Sequence, residues 1–256
     1  MLYIIIIFFL LPIIFIAVTI KFIFYVIKKS NANQPLSVLN DEKNELFIKA
    51  TENKSKLITW EINDLEKISN YVDYIYIKGI TRKFNGFIHT LESDKIISFR
   101  RIDRGWLNNV TSRICAISSH SEFYFDQVNN ETRIHFNGTY IGKLVNNSNL
   151  FNSENQQIGT IDRGQTNSPI YNVHLHQEKV AEIAKNTDRR IFVSNRFYKA
   201  PGDGRRFDFE KSRFEEQEVN NYQMVKLFKN LNEEEKQWIS SLTIFETIYY
   251  GIDFMR

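Results

Sequence analysis

The sequence predicts a mainly β protein with α+β character: a closed antiparallel β-barrel around a hydrophobic C-terminal helix, preceded by one N-terminal transmembrane helix. Three observations lead there. From Tyr74 onward, short runs of alternating apolar and polar residues are separated by frequent turn signals, a spacing of meanders and barrels and not of βαβ units. The last helical stretch, Asn232 to Phe254, has almost no polar face. The first apolar run, Leu2 to Ile20, holds about 19 residues without a charge, close to the ~20 needed to cross a bilayer core.

The N-terminal run continues past Lys21 through Phe22 to Ile27 and stops at Lys28-Lys29. No basic residue precedes it and no small-x-small site follows, which argues for an uncleaved anchor over a signal peptide. Pro12 is tolerable inside such a helix, and Lys21 can snorkel. Basic residues only on the C-terminal side place the rest of the chain in the cytoplasm. Residues 1–29 are therefore read as a single-pass anchor. Residues 30–73 are read as a linker and juxtamembrane segment, since Ser30 to Asn40 is polar with one proline and no period.

Within that segment Leu57–Ile62 reads as a strand. Asn63 caps a short amphipathic helix to Asp73, with Leu65, Ile68 and Val72 on one face. Strands follow at Tyr74–Lys78, Lys95–Arg101, Phe123–Asp126, Thr132–Phe136, Thr139–Leu144, Gln157–Asp162, Ile170–His176, Lys179–Ala184 and Arg190–Val193, and Lys83–His89 reads as a hairpin segment. Asn85-Gly86 and Asn137-Gly138 both read as type I′ hairpin turns, whose central residues need positive φ. Phe-Asn-Gly followed by Ile-Asp-Arg-Gly occurs twice, ending at Gly105 and at Gly164, an order that a duplicated meander would produce.

At the C-terminus Asn232 is a good N-cap, and Glu233, Glu234 and Glu235 put negative charge on the first turn. Trp238, Leu242, Phe245, Ile248, Tyr249 and Ile252 are the predicted core of the domain. The weakest side holds Ser240, Thr243 and Thr247, hydroxyls able to bond back to helix carbonyls. Glu246 needs an arginine partner or a place near an open end.

The paired phrases Tyr140-Ile-Gly-Lys-Leu and Gln157-Ile-Gly-Thr-Ile, the hairpin Tyr171–Ala184 and the terminal helix, in that order, resemble the tubby C-terminal-like superfamily: tubby domains, phospholipid scramblases and LURP-one-related proteins. The resemblance covers roughly Tyr74 to Arg256, so residues 74–256 are expected to form one tubby-like domain. It implies a twelve-stranded barrel around a central helix, without enzymatic activity, that engages lipid head groups. Scramblases carry their membrane segment beside the C-terminal helix, whereas the apolar run here is N-terminal, so scramblase activity is not carried over.

Composition narrows the function classes. A net charge of +3 over 256 residues gives no global field for nucleic acid. A single cysteine, Cys115, excludes an internal disulfide and suits a reducing compartment. Apparent sequons such as Asn109-Val-Thr are discounted in so asparagine-rich a chain.

Three constellations carry candidate chemistry. Arg100, Arg101, Arg104, Arg189, Arg190, Arg205, Arg206 and Lys211 form a head-group rim if their loops converge, because guanidinium forks suit phosphate oxygens. The alternative is solvated charge balanced by Asp103, Asp188, Asp203, Asp208 and Glu210. His174 and His176, at i and i+2 of the predicted strand, share a face and could reach one metal, yet they fall on the polar side and no further ligand supports one. Pro201-Gly-Asp-Gly204 lacks the lysine of a phosphate loop, and Ser119-His120 is not triad geometry. The expected function is a non-enzymatic binding module at the cytoplasmic membrane surface that recognises anionic lipid head groups and needs no cofactor. Its expected partners are membrane lipids and membrane proteins, not nucleic acid. A protein-interaction scaffold is the alternative, and a metal-dependent hydrolase using His174 and His176 stands third.

Overall fold

Up to the eleventh strand the alternating runs pair in sequence order, each against the next. The computed structural model describes residues 15–25, 36–77, 81–105, 111–163, 169–185, 205–208, 213–216 and 221–252. Helix α1 covers residues 15–25 and α2 Leu36–Thr51, followed by 3-10 turns at Lys54–Lys56 and Ile62–Lys67. Then come β1 Val72–Ile77, β2 Arg82–His89, β3 Lys95–Arg104, β4 Thr111–Ile117, β5 Glu122–Val128, β6 Glu131–Phe136 and β7 Thr139–Val145. After these come β8 Asn149–Asn152, β9 Gln157–Asp162, β10 Ile170–Leu175 and β11 Glu178–Ala184. A separate hairpin, β12 Arg205–Asp208 with β13 Arg213–Glu216, precedes β14 Val225–Leu227 and helix α3 Glu233–Tyr249.

Strands β1 to β11 and β14 make one twelve-stranded antiparallel sheet in that order. Inward-facing residues from all twelve strands, among them Tyr74, Phe99, Phe125, Leu150, Val173 and Val225, belong to one apolar cluster with Trp238, Leu242, Phe245 and Ile248 of α3. The sheet curls around the helix, helped by bulges between β2 and β3, β6 and β7, β8 and β9, and β10 and β11. It does not close. β1 and β14 are edges, each laddered on one side only. One isolated bridge, Ser69–Gln223, lies just ahead of them, flanked by Met224 N–H donating to the Ile68 carbonyl at 2.8 Å. With β14 only three residues long, no ladder extends from that bridge. The closed barrel expected from the sequence is thus corrected to an open, strongly curled sheet.

The transmembrane expectation is corrected as well. No helix among the described residues is long and apolar enough to cross a membrane. A single-pass membrane protein is therefore not supported, and the orientation argument loses its anchor. The first part of the predicted span, with Pro12, lies outside the described residues.

Local readings also shift. The stretch read as linker is helical from Leu36 on, as part of α2. Leu57–Ile62 is not a strand; Trp60 is held there by Ser119, whose Oγ accepts from the Trp60 N–H and donates to its carbonyl. The predicted helix from Asn63 is a 3-10 turn entered at Glu61, although Leu65, Ile68 and Val72 are buried as expected. Asn137 and Gly138, with φ of 47° and 78°, form the predicted turn between β6 and β7. Asn85 and Gly86 do not turn at all but sit inside β2, so the two Phe-Asn-Gly phrases occupy different structural places. The predicted strand Arg190–Val193 lies outside the described residues.

Helix α3 forms as its sequence dictates. Asn232 accepts from the Glu235 N–H while the Glu235 carboxylate accepts from the Asn232 N–H, a full capping box. Thr243 and Thr247 donate to the carbonyls of Ile239 and Thr243, both at 2.7 Å, which removes their need for water. Every residue from Trp238 to Tyr249 is buried, and so is Ile252.

Candidate functional site

Strand β3 carries three of the predicted rim arginines, and its alternation sends them to opposite faces. Arg101 and Asp103 point inward to α3; Arg100, Ile102 and Arg104 point outward under α2. All three arginines are buried, at 5–7% exposure.

Inside, the Arg101 Nε and Nη2 donate to the two oxygens of Asp103, each at 2.8 Å, and Ser112 Oγ donates to the same carboxylate. Its Nη1 donates to the carbonyls of Ile248, Tyr249 and Ile252 at 2.9–3.2 Å. The guanidinium also lies over the rings of Phe84 and Tyr249. The last turn of α3 has no basic residue of its own, so the cation its dipole favours comes from β3.

Outside, Glu42 of α2 accepts from both Arg104 and Arg113, and Arg113 also pairs with Asp126 at 3.0 Å. Glu45 pairs with Lys83 at 2.6 Å and lies 3.6 Å from Arg100. Burial works to raise the Glu45 carboxyl, but the hydrogen bond from Lys83 and the neighbouring cations outweigh it and hold the group below its ordinary value. Burial pulls the Arg100 guanidinium down, against the opposing charge of Glu45. Its Nε is buried without a hydrogen-bond partner.

A second buried carboxylate, Glu246 of α3, accepts from the Tyr171 hydroxyl at 3.2 Å and lies 3.6 Å from Arg163, the arginine partner that its position demanded. Arg163 is stacked between Tyr171 and Tyr250. Burial, then the charge of Glu246, pushes the Tyr171 phenol well above its ordinary value.

The histidine pair does not form the predicted face. His176 and Gln177 have φ of 51° and 69° and are the two turn residues between β10 and β11, so only His174 is in the strand. Both border a cleft of about 510 Å3 with Gln157, Gly159 and Thr160. Among the described residues no three His, Cys, Asp or Glu side chains are grouped to hold a metal ion. Arg205 and Arg206 are in β12 opposite Glu216 and Glu215 of β13. Arg189, Arg190 and Lys211 lie outside the described residues.

One surface was read from the sequence for another purpose. The side chains of α1 are exposed on all sides: Phe15 at 72%, Phe22 at 61% and Phe24 at 68%, with Ile16, Val18, Ile20, Ile23 and Tyr25 also open to solvent. Contiguous apolar exposure of this kind marks an interaction site in a folded protein. No family model matches the chain, and neither a curated protein nor a solved structure matches it.

Proposed function

We propose that the protein is a non-catalytic binding module that seats its apolar helix α1 in a lipid surface and holds the β domain beside it. The observation that carries this is the exposure of every apolar side chain of residues 15–25 around the whole helix, which leaves no polar face to meet water. Such a helix needs an apolar surround, which the interior of a lipid surface supplies. Lys21 within it and the sequence Lys28-Lys29 beyond it favour an anionic surface. The buried ionisable pairs support binding over catalysis: Arg101–Asp103, Arg104–Glu42 and Tyr171–Glu246 each satisfy a structural need. The tubby-like resemblance points the same way. Arg100, Arg101 and Arg104 are not proposed as head-group ligands, because carboxylates and helix carbonyls already occupy them.

Flotation tests this. The full chain in mild detergent is reconstituted with phosphatidylcholine vesicles, with or without phosphatidylserine, and floated on a density gradient. The wild type is expected to float, more with phosphatidylserine, while Phe15→Ser/Phe22→Ser/Phe24→Ser stays behind. Equal flotation of that variant overturns the lipid seat, as does wild-type protein that remains at the bottom. Equal recovery with both vesicles removes the anionic preference alone.

A further inference from the structure

We propose that α2 is a releasable strap, a helix held through Glu42 and Glu45 over a cationic face of the sheet, which opens while the core around α3 stays folded. Its principal contacts are with β3 and β4, on the face of the sheet opposite α3. The apolar residues it covers form a cluster of their own: Leu46, Ala50 and Phe47 against Ile102, Cys115, Ile117 and Tyr124. The thickness of the sheet separates that cluster from the main core, so lifting α2 leaves the packing around α3 intact.

Charge dominates the remainder of the contact. Lys83, Arg100, Arg104 and Arg113 face Glu42 and Glu45 of α2 and Asp126 of β5. With α2 lifted, this face loses the carboxylates of Glu42 and Glu45 and keeps Asp126. The fit is also incomplete, since the Arg100 Nε has no acceptor although it is buried. Among the described residues α2 is the element that follows α1, so a load on α1 reaches the domain through this strap. The strap stands on the α2 geometry alone and does not depend on what α1 binds.

Cys115, the one cysteine of the chain, lies fully buried in the cluster under α2 and reports the opening directly. The experiment measures N-ethylmaleimide labelling of Cys115 in the full chain, in mild detergent, across sub-denaturing urea. Wild-type labelling is expected to depend only weakly on urea, because opening the strap exposes far less surface than global unfolding does. Glu42→Gln is expected to raise the rate at least about tenfold, while the far-UV melting transition moves little. A urea slope for wild-type labelling equal to that of global unfolding overturns the strap, as does a folded Glu42→Gln protein labelled no faster than wild type. The wild-type urea slope decides the matter even if the variant fails to fold.

Discussion

The Arg101 guanidinium, on β3, donates to the Tyr249 carbonyl at the end of α3 at 2.9 Å, joining residues 148 apart in the sequence. The contact does two jobs at once. It satisfies carbonyls that the helix leaves open at its C-terminus, and it supplies the positive charge that end favours. Asp103, two residues on, holds the fork in place through both oxygens. A segment that looked like a ligand-binding rim is the fastening between sheet and helix.

Replacing Arg101 therefore acts on stability. Arg101→Met leaves the buried Asp103 without its counter-charge and the α3 carbonyls without a donor, and is expected to cost about 3–5 kcal/mol. Arg101→Lys keeps the charge but loses the two-pronged geometry, and should fall between. Urea denaturation of the three proteins checks the order; a loss under ~1 kcal/mol in Arg101→Met contradicts the role.

Two glycines make a second test. A β-carbon on Gly86 would run into the Asp73 carbonyl and the Phe99 ring, and one on Gly142 into the Phe151 carbonyl and the Trp238 indole. Gly142 also has φ of +145°, a conformation that side chains avoid. Alanine at either position is expected to destabilise by about 1–3 kcal/mol, with Gly142 the worse because strain adds to overpacking. Gly138, also at positive φ but with open space around it, should lose less when changed. Thermal melts of the three alanine variants rank them.

What the sequence showed and hid follows from the covering of each strand. β6, with one face on the core and one partly open, alternates in burial, and its period of two is plain in Thr132–Phe136. β4 is buried at all seven positions, because α2 covers its outer face, so Thr111–Ile117 has no alternation to read. The same cover turned Arg100 and Arg104 from expected surface charge into buried pairs, and their partners Glu45 and Glu42 lie about 55 and 62 residues upstream in a stretch read largely as linker. Asn85-Gly86 misled because a turn and a close backbone approach both call for glycine. The apolar character of α3 and its cap were local properties, and they were legible for that reason.

Stability should fall on the alkaline side in steps that can be assigned. Burial, reinforced by Glu122, pushes the Cys115 thiol above its ordinary value; burial with Asp126 does the same to the Tyr124 phenol, and burial with Glu246 to that of Tyr171. In each case the folded protein keeps a proton that the unfolded chain gives up, so the stabilisation is complete below the unfolded pKa and is lost as pH rises beyond it. Between pH ~8.5, where an unfolded thiol ionises, and pH ~10, where tyrosine does, Cys115 alone of these three should set the slope, up to ~1.4 kcal/mol per pH unit. Urea midpoints measured from pH ~7 to ~10.5 should decline from about pH 8.5 in the wild type and only from about pH 10 in Cys115→Ala. Tyr171→Phe should then flatten the upper limb, since it removes the phenol facing Glu246. A wild-type midpoint that stays level up to pH ~10 would mean the thiol is not sealed beneath α2, and the α2 cover would have to be redrawn.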